Sequence, residues 1–226
     1  MPRLTPTERS VRAGRFTASE IAKLVTYARS SASQKKKQWG ATALGYIHQK
    51  FEEQITGKPI DGYSGGVATD YGHLHEPYAC RFFELEYGLV IDDIGFQPYG
   101  DDAGATPDGF IKSLNATAQI KCPYMIHVHK KYIEKIKDVA DLKKVSKVYY
   151  WQMVFEMICT GVNKSVFISY NPKHNEHPLH VVDVPLLKDD KDEILEALDL
   201  AIAYKEKLIR TYRRIYYPDQ ILNIAV

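Results

Sequence analysis

The sequence predicts an α/β fold of the α+β kind, and three observations predict it. Apolar residues recur at helical spacing toward both ends of the chain. The middle breaks into short apolar runs punctuated by glycine and aspartate, as in a strand meander. The third observation is size: 226 residues at 45% hydrophobic content, with no internal repeat and no linker, suffice for one core. One domain over residues 1–226, closed by a long C-terminal helix, is the organisation expected.

Thr17-Ala18-Ser19-Glu20 has the form of a capping box, with Ile21, Leu24, Val25 and Ala28 behind it, so a helix is predicted from Thr17. A basic loop, residues 30–37, leads to a second helix through Leu44, Ile47, Phe51 and Ile55 that stops at Gly57. After a glycine-rich turn at 61–66, residues 70–87 read as a helix with Leu74, Tyr78, Phe82 and Leu85 inward and Glu76 midway. Strands are expected at 89–91, 94–97, 110–111 and 118–120, a helix near 127–137, and a stronger one from Val145 to a capping Gly161. Two strands at 165–170 and 179–184 precede an amphipathic helix over 188–216, with Ile194, Leu198, Ala201, Leu208, Tyr212 and Ile215 as its seam.

Composition excludes several classes. The net charge is only +2, so a nucleic-acid surface must come from local clusters of basic residues. Three scattered cysteines, Cys80, Cys122 and Cys159, fit neither a disulfide framework nor a zinc ribbon and suit a reducing cytoplasm. No apolar run reaches the length of a membrane span. His73/His75 and His127/His129 are two apart on predicted helices, where side chains diverge by about 200°, so zinc is rejected. Cys122, just off a core strand, is read as packing.

Thr106-Pro107-Asp108-Gly109 followed by Gln119-Ile120-Lys121 nearly spells the PD-(D/E)xK pattern of metal-dependent nucleases. Strand residues two apart point the same way, which sets Lys121 beside position 119, while Asp108 offers a hard anionic ligand. On the helix 145–161, Val148, Trp151, Phe155 and Ile158 share an apolar face. Tyr149, Gln152 and Glu156 border it, as a polar flank or as groups reaching into a site. Arg12 and Ser19 form a candidate phosphate pocket at the predicted helix start, and Thr106 adds a hydroxyl. Arg29, Lys35, Lys36 and Lys37 are candidates for duplex phosphates, with Lys130, Lys131, Lys143, Lys144 and Lys147 a second basic zone.

In that order, Arg12-Ala13-Gly14-Arg15-Phe16-Thr17-Ala18-Ser19-Glu20, Gly72 to Glu76, Thr106 to Gly109, Gln119 to Pro123 and Tyr149 to Gln152 resemble lambda exonuclease and the YqaJ-like phage recombination exonucleases, over about residues 9–184. The resemblance implies a restriction-endonuclease-like core, a central mixed β-sheet flanked by helices. It implies a Mg²⁺-dependent enzyme, with Mn²⁺ able to substitute and two ions per site, that degrades the 5′-ended strand of linear duplex DNA and leaves 3′ overhangs. A homotrimer, a single-strand annealing protein as partner, and a phage-encoded protein in the bacterial cytoplasm are implied too. Residue by residue, it makes Asp108, position 119 and the Ile120 carbonyl metal ligands, with Glu76 helping a second ion. It makes Lys121 the catalytic lysine and places Gln152 and Tyr149 near the scissile phosphate. Arg12, Thr17, Ser19 and Thr106 fall at the 5′-phosphate pocket, and Arg29 against the duplex.

Gln119 departs from the pattern. A neutral amide where the family has glutamate keeps the shape and loses the charge. With Asp108, Lys121, Glu76 and Gln152 intact, an inactivated copy is expected, engineered rather than decayed. The alternative is a natural variant in which another acid, Glu156 foremost, substitutes. A catalytically dead DNA-end-binding protein and a PD-(D/E)xK endonuclease are the competing functions; a pocket for a terminal phosphate argues against the second.

Overall fold

The computed structural model describes residues 11–27, 38–60 and 65–217. Arg29, Lys35, Lys36 and Lys37 lie outside them. In chain order the elements are β1 (Phe16–Thr17), a 3₁₀ segment (Ala18–Lys23), α1 (Ala41–Thr56), α2 (Val67–Tyr87), β2 (Gln97–Tyr99), β3 (Ala103–Ala105) and β4 (Gly109–Ile111). There follow β5 (Ala116–Lys121), α3 (Ile126–Lys135), α4 (Val139–Val145), α5 (Lys147–Thr160), β6 (Lys164–Tyr170), β7 (Leu179–Pro185) and α6 (Lys188–Tyr216). Among the described residues no helix is long and apolar enough to cross a membrane.

The larger sheet runs β4-β5-β6-β7 and is mixed: β5 and β6 are parallel, and both outer pairs are antiparallel. Parallel neighbours need a crossover, which α3, α4 and α5 supply. A small sheet, β1-β3-β2, has β1 parallel and β2 antiparallel to β3. Alternation along β5 and β6 sorts their side chains onto two faces. Ala116, Ala118, Ile120, Val166, Ile168 and Tyr170 pack with Ala79 and Phe83 of α2, whereas Phe167 joins the cluster of Tyr150, Trp151, Val154 and Phe155 on α5. Gln119 and Lys121 fall by the same alternation on the α5 side. Gly161 ends α5 in the left-handed region at φ 71°, and Gly57 ends α1 at φ 64°, both as the sequence predicts.

Several expectations need correction. The segment after Thr17 is six residues of 3₁₀ helix without a side-chain cap. Thr17 is in β1 with its N–H donated to Tyr46, and Glu20 pairs with Lys23, so the capping box never closes. On α2 the buried stripe is Ala79 and Phe83, with Phe82 half-buried; Leu74, Tyr78 and Leu85 are exposed. The helix carries apolar residues on two sides, and packing against β5 and β6 buries the one with Ala79 and Phe83. Residues 89–91 form no strand; Asp92 makes one bridge to Phe110, and β2 begins at Gln97. Neither β3 nor α4 was anticipated. On α5, Val148 is 53% exposed, while Tyr150, Met153, Val154 and Met157 are buried with Trp151 and Phe155, because this helix is covered on nearly every side. The α6 seam is buried through Ala201 and has opened by Ile215.

Candidate active site

Antiparallel pairing of Gly109 with Ala118 carries one step further to set Asp108 opposite Gln119. The glycine is required there, since a Cβ would stand 2.2 Å from Ile91 Cγ2. Asp108 Oδ2 accepts the Ile120 N–H at 2.8 Å and the Gln119 side-chain amide, and Lys121 Nζ lies 3.6 Å from the same oxygen. Lys121 also sits over the Tyr149 ring, 4.9 Å from its centroid. Burial is the largest influence and opposes its charge, but Asp108, Tyr149 and Glu156 together outweigh it and raise the pKa, so Lys121 stays cationic.

One turn and two turns along α5 from Tyr149 come Gln152 and Glu156, joined by a 2.9 Å bond from Gln152 Nε2 to Glu156 Oε1. Glu156 is fully buried, and burial first, then the negative charge of Asp108, pushes its pKa well above the carboxylate range. Its other oxygen, Oε2, has no hydrogen-bond partner, and neither has Gln119 Oε1, although both residues are 0% exposed. The structure therefore brings together Asp108, Gln119, Lys121, Tyr149, Gln152 and Glu156 from the β4 turn, β5 and α5.

Glu76 sits on α2 in the stripe of Gly72, Ala79 and Phe83, with His73 Nδ1 3.9 Å away. A Cβ on Gly72 would lie 4.0 Å from the Cys122 carbonyl, so this stripe runs against the end of β5. Ile120 packs its side chain under α2 and offers backbone alone to the site. Cys122 is buried and its thiol is pushed up to about 12, as expected of a packing cysteine. His129 bonds Ser169 Oγ and the His177 carbonyl, a satisfied core histidine.

At the other candidate site, β1 runs parallel to β3 with Thr17 beside Gly104, and Ser19 in the 3₁₀ segment and Thr106 just after β3 follow these neighbouring strands. The Thr17 and Ser19 hydroxyls are 3.4 Å apart, Ser19 is exposed, and Thr106 Oγ1 is buried without a partner. With only a short 3₁₀ segment behind Ser19, a helix dipole adds little, so any phosphate pocket here rests on Arg12 and the hydroxyls. In the second basic zone, Lys143 is drawn inward to Asp190 and the rings of Tyr150 and Trp151. Lys130 pairs with Glu134.

Close to Arg12 in the chain, Gly14 is clamped by charged side chains from two helices. Gly14 donates its N–H to Glu53 Oε2 at 2.9 Å and receives Lys205 Nζ on its carbonyl at 2.7 Å. Glu53 is also held by Lys50, and Lys205 by Asp102 at 2.7 Å. Gly14 has φ 75°, and a Cβ there would meet Gln54 Oε1 at 2.6 Å. The only sequence signal was the glycine itself, since Glu53 and Lys205 belong to no motif.

Hard oxygen donors and two orphaned buried oxygens suit Mg²⁺ or Mn²⁺. Among the described residues, no three His, Cys, Asp or Glu side chains form a metal-binding group by themselves. Gln119, hydrogen-bonded to Asp108, is an amide rather than an acid and does not count toward such a group.

Residues 9–163 match the model of the YqaJ-like viral recombinase domain. The fold is similar to that of the alkaline exonuclease LHK-Exo from Laribacter hongkongensis, with TM-score 0.73 at 23% identity over 93% of this chain and 100% of that one. The complex of LHK-Exo with dAMP gives TM-score 0.76 at 23% identity, covering 93% and 97%. A phage-related exonuclease from Haemophilus somnus 129PT gives 0.71 at 16% identity, covering 88% and 96%. No curated protein matches the sequence significantly.

Proposed function

The chain belongs to the YqaJ-like viral recombinase domain family, and from that premise we propose that it is a Mg²⁺-dependent 5′-to-3′ exonuclease of duplex DNA, leaving 3′ overhangs for an annealing protein. The observation that carries this reading is the Asp108 carboxylate, fixed by the Ile120 N–H with Lys121 3.6 Å away and a glutamine opposite. A bound divalent cation supplies charge against the attacked phosphate and acidifies water. Asp108, Gln119 and Glu76 are the residues to hold it, with the Ile120 backbone. Lys121, kept protonated by Asp108, stabilises negative charge growing on the phosphoryl oxygens, and the Tyr149 ring holds its ammonium in place. Gln152 positions the carboxyl group of Glu156.

Arg12, Ser19, Thr17 and Thr106 bind the terminal 5′ phosphate in this reading, Arg12 by a charge-assisted bond. The Gly14 clamp fixes the segment that bears Arg12. Arg29 and Lys35 to Lys37 contact the duplex backbone. A homotrimer is the assembly that goes with this reading. With Gln119 neutral, cleavage runs well below what a glutamate there would support.

The test is degradation of linear duplex with 5′-phosphate or 5′-hydroxyl ends and of closed circles, with Mg²⁺. Loss from 5′-phosphorylated ends alone is expected, and Arg12→Ala should shrink the preference about tenfold or more. Cutting of circles would make the protein an endonuclease, and end binding without turnover in any variant would leave an end-binding module.

A further inference from the structure

We propose that Glu156 on α5 is a direct ligand of the divalent cation, shared with Asp108, and supplies part of the negative charge that Gln119 withholds. The inference rests on the nuclease reading and adds a residue to it.

Glu156 is 0% exposed, yet only Oε1 has a partner, the Gln152 amide, and Oε2 has none. A carboxylate left half-bonded in the interior is disfavoured unless a cation meets it. The charged groups acting on Glu156 are Asp108, which repels it, and Lys121, which Asp108 already holds. One lysine cannot satisfy both acids once Glu156 ionises, so a cation is needed to hold its unpartnered Oε2 as a carboxylate oxygen.

Gln119 points to the same conclusion from the β5 side. Its Nε2 is committed to Asp108, which leaves Oε1 buried and unbonded. Asp108, Gln119 and Glu156 thus offer two carboxylates and an amide oxygen, an all-oxygen set of the kind that Mg²⁺ and Mn²⁺ accept. A purely structural carboxylate looks different in this same chain: both oxygens of Glu53 are bonded, to Lys50, Gln49 and the Gly14 N–H.

The test compares the full chain, Glu156→Gln, Gln119→Glu and the double variant by isothermal titration with Mn²⁺ and by melting in EDTA and in Mn²⁺. Glu156→Gln is nearly isosteric and removes an acid that the metal-free fold must either protonate or bury charged, so in EDTA it should melt about 2 °C or more above the parent. It should bind Mn²⁺ at least about tenfold more weakly and lose the parent's Mn²⁺-induced rise in melting temperature. In the Gln119→Glu background the same change should cost less affinity, because the two acids substitute for each other. Glu156→Gln binding Mn²⁺ as the parent does would overturn the proposal and leave the nuclease reading standing. So would a parent that binds no Mn²⁺ while Gln119→Glu both binds and cleaves. If no variant binds Mn²⁺ or cleaves DNA, the nuclease reading falls and takes the proposal with it.

Discussion

Around Gly14, Lys50, Glu53, Lys205 and Asp102 bring buried charge together with its bonds made. Around Asp108, Gln119, Lys121 and Glu156 are packed as closely, yet two buried oxygens have no hydrogen-bond partner. Both groups tie elements distant in sequence. The first joins the N-terminal segment, α1 and α6; the second joins the β4 turn, β5 and α5. Satisfied buried charges fix a conformation, whereas unsatisfied ones store a demand that a ligand can meet. The Gly14 group is accordingly structural, and it aims the segment carrying Arg12; the Asp108 group is where chemistry is expected.

Substitutions should separate the two. The largest effect is expected from Asp108→Ala in a Gln119→Glu background: cleavage of linear duplex falls by about 10³-fold or more, with DNA-end binding retained. Loss of end binding along with cleavage would make Asp108 a scaffold residue instead. Next comes Glu53→Ala, which strands buried Lys50 and the Gly14 N–H and should cost about 3–5 kcal/mol in denaturant unfolding. A cost under about 1 kcal/mol would undo the contrast between the groups. Gln119→Glu should raise cleavage by about 10- to 10³-fold, since each decade is about 1.36 kcal/mol of barrier and one anionic ligand is restored.

The smallest effect is a difference in sign with pH. Burial would raise the pKa of Glu53, but Lys50 and the Gly14 N–H prevail and hold it below its ordinary value of 4.5. A depressed acid stabilises the fold above its unfolded pKa and loses that contribution as pH falls through the folded one, so Glu53 weakens the chain below about pH 4.5. Glu156 is shifted upward, mainly by burial, so its contribution is present at low pH and is lost as pH rises above about 4.5. Melting curves from pH 3 to 7 in EDTA should show Glu53→Gln flattening the acid limb and Glu156→Gln flattening the opposite one.

Only the Asp108 side of this contrast was legible in the sequence, and the illegible part has physical causes. Asp108 and Lys121 could be found because a strand's two-residue period and a proline-led turn are local signals, and Gly161 marked the end of α5 for the same reason. The depth of Glu156 was hidden, because a helix covered on nearly every side shows no clean stripe; the expected face through Val148 is in part exposed. β3 went unseen because Ala103, Gly104 and Ala105 have no strand propensity. Packing chose them: a Cβ on Gly104 would stand 2.2 Å from Phe96. On α2 the sequence offered two apolar stripes and nothing local to decide between them. Lys205 sits within an otherwise apolar seam, and only the fold shows that it crosses to Gly14.

The most direct test of the central claim is an anomalous difference map from crystals of the unaltered chain soaked in Mn²⁺. The account expects a peak between Asp108 and Glu156, within ligand distance of both carboxylates, and none at the satisfied Glu53 and Lys205 group. A map without a peak at Asp108, or with one that touches Asp108 but leaves Glu156 bonded to protein alone, would contradict it.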